Sequence, residues 1–185
     1  MPRALIIVDV QPTFCEGGAL PVEGGNACAQ RVADFVAAHA ADYDCIVTSQ
    51  DWHIDPGAHF NAEPDFRDSW PVHCVAGSPG AELHSALADV PVTAAFFKGQ
   101  HSAAYSGFEG ATNDGVGLAD WLRAHDVDII DVVGIATDYC VRATVLDALR
   151  EGFEVRVLTD LVAAVADETG EAALQEMVGA GAQLA

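Results

Sequence analysis

The chain has 185 residues, 51% of them hydrophobic, and a formal charge of −20 from 28 acidic and 8 basic residues. That apolar content excludes disorder, and the acidity excludes nucleic acid and anionic lipid as partners, since both need a basic patch. No apolar run approaches the roughly 20 residues of a membrane span. The start, MPRALIIVDVQ, has no signal-peptide cleavage pattern, so a cytoplasmic protein is expected, without a membrane partner.

The first element predicted is a buried strand, RALIIVDV at 3–10, a continuous apolar run as parallel strands carry. A helix follows over roughly 23–41, then a second strand, DCIVTSQDWH at 44–53. Residues 54–79 are irregular and rich in Pro, Gly, Asp and His, too long for a simple connector. A short helix is expected at 80–90, a third strand at 92–98, a polar loop at 99–114 and a helix at 117–126. A fourth strand, VDIIDVVGIAT, covers 127–137, and a helix over 138–152 ends at a glycine. A fifth strand at 153–160, a last helix at about 167–179 and a short strand in AQLA complete the chain. Strands alternating with helices predict an α/β fold, a parallel sheet with helices on both faces, in one domain over 1–185.

In such sheets ligands bind beyond the carboxyl ends of the strands. Asp9 ends strand one, Asp51 and His53 end strand two, Lys98 ends strand three, and Cys140 follows strand four. A thiol in the first turn of a helix feels the positive end of its dipole, which favours the thiolate, and free N–H groups there can hold an oxyanion. Thr137 or Asp138 can cap that helix. Asp9 is a candidate base and Lys98, the only lysine, a candidate counter-ion. Each has an ordinary alternative: a core cysteine, a turn aspartate, a snorkelling lysine. The five cysteines are odd in number and lack a CxxC spacing, so a disulfide framework is not expected.

The metal-binding candidates lie in the irregular segment, about 51–79: Asp51, His53, His59 and His73. One carboxylate and three imidazoles suit a divalent transition ion such as zinc, iron or manganese. Solvent-exposed loop histidines would give the same pattern. Phe14, Trp70 and Tyr105 are loop aromatics near the same edge, suited to lining a pocket for a flat ring or to packing loops.

The strings VDVQ, SQDWH, WPVHCVAGSPGAELH, KG, YSGFEG and VVGIATDYCVRATVLDA together resemble the isochorismatase-like cysteine hydrolases, and within them the nicotinamidase/pyrazinamidase group, over nearly the whole chain. The resemblance implies a three-layer α/β/α sandwich around a mostly parallel six-stranded sheet. It implies a triad of Asp9, Lys98 and Cys140, an oxyanion hole from the N–H groups of Ala136 and Cys140, and a cis peptide at Ile135–Ala136. It assigns Asp51, His53, His59 and His73 to one divalent metal. It places Phe14, Trp70, Tyr139, Ile135 and Ala136 around the substrate ring, with Tyr139 standing where some relatives carry histidine. The implied reaction is hydrolysis of nicotinamide, with pyrazinamide a further substrate, by a monomer or small homo-oligomer. The alternatives are an amidase for another small carboxamide or ureido compound, a hydrolase using metal-activated water, and a metal-stabilised binding domain.

Overall fold

The computed structural model describes residues Met1–Ala185. Six strands form one sheet: β1 (Arg3–Val8), β2 (Cys45–Asp51), β3 (Ala94–Lys98), β4 (Ile129–Ile135), β5 (Glu154–Ala163) and β6 (Gln183–Leu184). Their order is β3-β2-β1-β4-β5-β6, and every pairing is parallel. Four α-helices connect them: α1 (Gly25–His39), α2 (Leu118–Ala124), α3 (Arg142–Arg150) and α4 (Asp167–Gly179).

The strand pattern explains the layers. In β1, Ala4, Ile6 and Val8 point to one face, where they join a core with Leu118 and Leu122 of α2, Val145 and Ala148 of α3, and Ala173 and Met177 of α4. Leu5 and Ile7 point to the other face and pack with Cys28, Val32 and Val36 of α1. Residues 4–8 are wholly buried, as a central parallel strand requires. Each such aliphatic side chain contributes about 1.5–3 kcal/mol through burial.

Three expectations need correction. Residues 80–90 are not a helix but two 3-10 turns, Pro79–Ala81 and Ser85–Leu87. The buried residues there, Ala81 and Leu87, lie six apart, so the segment has no helical apolar stripe to bury. The helix expected from 138 starts as a π-turn over Thr137–Val141, and α3 begins only at Arg142. β5 runs to Ala163, past the expected end, with a register shift against β4 between Val132 and Gly134.

Gly134 sits at that shift with φ +121°, opposite Val8. A Cβ on it would lie 2.1 Å from the Val8 carbonyl oxygen, so only glycine lets β4 approach β1 here. The order places the switch of winding direction between β1 and β4, where open sheets form their binding crevice. Asp9 leaves β1 and Cys140 follows β4 at that place.

Candidate active site

Asp9 is fully buried, with φ 48°, and turns the chain out of β1. Lys98 closes β3, its side chain sealed from solvent, with Phe96 on the same strand face wholly buried. Its Nζ lies 2.8 Å from Asp9 Oδ2, 2.5 Å from Asp51 Oδ1 and 3.7 Å from Cys140 Sγ. The structure thus brings together the three residues of the expected triad and adds Asp51 to them through the shared ammonium.

Two carboxylates beside one ammonium settle unequally. Burial raises the pKa of Asp9, and although Lys98 opposes this, Asp51 adds to it, so Asp9 stays above the usual carboxylate range. Burial also acts on Asp51, but Lys98 and the imidazoles of His53 and His73 outweigh it and hold that carboxyl well below. The thiol of Cys140 is pushed well up, first by burial; Lys98 pulls it down, and Asp9 and Asp51 raise it further. The helix-end effect expected from sequence therefore does not prevail. A thiol raised in this way would need a base in order to react, and Asp9, raised as well, is a candidate to accept its proton.

The turn around Cys140 also differs from expectation. No side chain caps the helix that follows it. Asp138 instead turns to the start of α4, accepting from the backbone N–H groups of Val165 (2.9 Å) and Ala166 (3.3 Å) and from the Thr169 hydroxyl (2.6 Å). The Ile135–Ala136 peptide is cis, and the Ala136 N–H donates to no acceptor within the chain. Thr144 donates its hydroxyl to the Cys140 carbonyl at 2.6 Å and accepts from the Gly107 N–H at 2.9 Å, tying the loop that carries Tyr105 to the turn that carries Cys140.

The irregular segment is organised by short bridges. His53 pairs with Val75, and Phe60 with Trp70, so the excursion between them returns on itself. His53, His59 and His73 thereby converge, with one ligand atom from each within 4.8 Å of the others. His53 Nδ1–H donates to the Gly99 carbonyl at 2.6 Å and His73 Nδ1–H to the Pro71 carbonyl at 2.7 Å, which turns each Nε2 inward. Both Nε2 atoms approach Asp51 Oδ2, at 3.5 and 3.7 Å. His53 Nε2 and His59 Nδ1 are buried without a hydrogen-bond partner. Burial, then the neighbouring imidazoles, lower the His59 pKa to about 4, so it is neutral near pH 7. An anionic carboxylate beside three converging, inward-facing imidazoles fits a divalent metal. Phe60 lies edge-on to His53 and His73, at ring separations of 5.2 and 5.3 Å, and helps seat them.

Over this floor opens a cavity of about 330 Å3. Phe14, Trp70, Tyr105, Ile135, Ala136 and Tyr139, all expected from sequence, line it beside Asp51, His59, His73 and Cys140. Trp70 donates its ring N–H to the Tyr105 hydroxyl at 3.2 Å and meets Tyr139 edge-on at 5.6 Å. Asp9, Lys98 and His53 do not line the cavity but support it from behind.

Sequence reasoning missed three supporting residues. Ser49 donates its hydroxyl to Asp9 Oδ1 at 2.8 Å. Gln11, wholly buried, accepts from the Asp51 N–H and donates to the Asp51 carbonyl, both at 3.0 Å, standing in for a strand residue where β1 has ended. Gly99 has φ +72°, and a Cβ on it would reach within 2.6 Å of the His53 ring. The signal for the first two was polar residues inside buried strand ends, where every such group needs a partner.

The family model described as Isochorismatase domain matches residues 3–185. The nicotinamidase/pyrazinamidase of Mycobacterium tuberculosis is 54% identical over 182 residues, covering 98% of this chain and 97% of that protein. The pyrazinamidase of Pyrococcus horikoshii in complex with zinc superposes with a TM-score of 0.86 at 39% identity, covering 100% of this chain and 99% of the other. The L. infantum protein PnC1 in complex with nicotinate gives 0.85 at 35% identity, covering 100% and 92%.

Proposed function

The chain belongs to the isochorismatase domain family, and we propose that it is a nicotinamidase, hydrolysing nicotinamide to nicotinate and ammonia and accepting pyrazinamide. The observation that carries this reading is the arrangement at Lys98. One buried ammonium touches Asp9, Asp51 and Cys140, so the nucleophile and the imidazole cluster share one floor beneath an aromatic-walled cavity.

The flat ring lies between Phe14, Trp70 and Tyr139, with its nitrogen toward the imidazoles and its carboxamide over Cys140. Asp51, His53, His59 and His73 would hold one divalent ion, zinc, iron or manganese, which supplies a Lewis acid for that nitrogen. Asp9 takes the proton of Cys140. The thiolate attacks the amide carbon, and the N–H groups of Ala136 and Cys140 receive the oxyanion. As the carbon–nitrogen bond breaks, Asp9 returns the proton and ammonia leaves a thioester on Cys140. Water then attacks the thioester, giving its proton to Asp9; nicotinate departs and Asp9 restores the thiol. Lys98 keeps Asp9 anionic between transfers.

Ammonia release from nicotinamide by the metal-loaded protein tests this reading. Turnover is expected, with Cys140→Ala inactive while still binding the amide. A Cys140→Ala protein retaining wild-type turnover would overturn the covalent route.

A further inference from the structure

The cavity reaches from the imidazole floor out to an apolar mouth. A cavity of about 150 Å3 already holds a benzene ring, and this one measures about 330 Å3. Its polar lining, Asp51, His59, His73 and Cys140, is gathered at the floor, whereas Leu20, Pro21, Phe66 and Val165 make the rest of the wall apolar. Phe66 and Val165 are 58% and 52% exposed, which places them at the mouth.

The backbone that carries these two side chains is anchored by hydrogen bonds. The Asp65 carboxylate accepts from the N–H groups of Arg67, Asp68 and Ser69, each at 2.9 Å, and from the Ser69 hydroxyl at 3.0 Å. That turn carries Phe66 at φ 53°, a left-handed conformation a phenylalanine rarely adopts, and such strain gathers at functional sites. Phe66 also meets Trp70 edge-on at 6.2 Å. Val165 is fixed by the Asp138 carboxylate, two residues before the nucleophile. An apolar wall on an anchored backbone lowers the ordering cost of binding.

The reacting ring says what would fill it. In nicotinamide, carbon 2 lies between the nitrogen and the carbon bearing the carboxamide. Carbon 5 lies opposite carbon 2. With nitrogen and carboxamide both directed to the floor, a group on carbon 5 points to the mouth. We propose that Phe66 and Val165, with Leu20 and Pro21, form an outer apolar subsite for an alkyl or aryl substituent on carbon 5, making 5-substituted nicotinamides preferred substrates. This rests on the nicotinamidase reading.

The test compares kcat/KM for 5-ethylnicotinamide and nicotinamide. In the wild type the ratio of the first to the second is expected above one, and Phe66→Ala and Val165→Ser should each lower it about tenfold, the scale of one or two methylenes in an apolar pocket. Calorimetric titration of Cys140→Ala should show 5-ethylnicotinamide binding tighter than nicotinamide, and adding Phe66→Ala should remove the difference. A wild-type ratio below one, with nicotinamide turned over well, overturns the subsite alone, as does a ratio that neither variant changes. Absence of turnover on nicotinamide itself overturns the function, and the subsite with it.

Discussion

Lys98 donates to Asp51 Oδ1 at 2.5 Å while its Nζ also pairs with Asp9. The same ammonium therefore neutralises both Asp9, beside Cys140, and Asp51, beside the imidazoles. Burial works against its charge, yet Asp51, Asp9 and Cys140 raise its pKa well above the ordinary lysine value.

Lys98→Met should show both consequences. It leaves Asp9 and Asp51 buried without a counter-ion, and breaking a buried pair costs about 3–5 kcal/mol. In a chain of this size that is a fall in Tm of about 10 °C. Activity should fall by at least about a hundredfold, since Asp9 would no longer stay anionic until the thiol proton arrives. Thermal melts and an ammonia assay read the two effects. A variant with wild-type turnover would remove Lys98 from the mechanism.

Ser49→Ala tests Asp9 more gently. The hydroxyl donates to Asp9 Oδ1 and so favours the charged form. Removing it raises an Asp9 pKa that burial already holds up. A base works only when deprotonated, so activity is lost as pH falls through its pKa. The acid limb of the kcat profile should move to higher pH in the variant, with KM little changed. A limb that stays in place would assign it to a group other than Asp9.

The sequence made most of this legible, and the exceptions have a common cause. Asp9, Lys98 and Cys140 could be placed because strand ends of a parallel sheet share one edge. The winding switch between β1 and β4 then explains why those ends meet at a cavity. The sharing of Lys98 with Asp51 was not legible, because strand order says which ends are near and not which oxygen faces which nitrogen. The role of Asp138 was missed for a similar reason: its position suggested capping its own helix, while its carboxylate reaches the start of α4, 27 residues on at Val165. The helix expected at 80–90 gives way to two short turns because its buried residues, Ala81 and Leu87, do not fall on one helical stripe.

Gly134→Ala should damage stability and site together. The new methyl would meet Val8 backbone, with contacts of 2.1, 2.7 and 2.9 Å, and backbone has no rotamer to escape into. A φ of +121° adds strain for any residue with a Cβ. The strands must part at the point where Asp9 and Cys140 emerge. A loss of about 3 kcal/mol or more is expected, with activity falling further than Tm alone explains. Gly117→Ala is the control, since nothing lies within 4 Å of its added Cβ; it should change stability by about 0.5 kcal/mol or less. Equal stability of the two variants would show that β1 and β4 do not need this close approach.

The last prediction comes from charge. The single lysine is buried at the site, so the surface cations are arginines. Arg123, Arg142 and Arg150 already pair with Glu151, Glu176 and Asp147, and Arg156 serves the buried Asp131. Only Asp9, Asp51 and Asp131 among the 28 acidic residues are buried, which leaves a strongly negative surface. Such self-repulsion destabilises the compact state. Raising KCl from about 0.01 to about 1 M shortens the screening length from about 30 to about 3 Å. The same salt weakens the exposed ion pairs, but those contribute only about 0–1 kcal/mol each, so relief of repulsion should win. Tm should rise by about 5 °C or more, a gain of about 2 kcal/mol. Chloride is the salt to use, because sulfate strengthens apolar burial in its own right. A Tm that stays level or falls would mean that the arginine pairs, and not the carboxylate excess, dominate the surface.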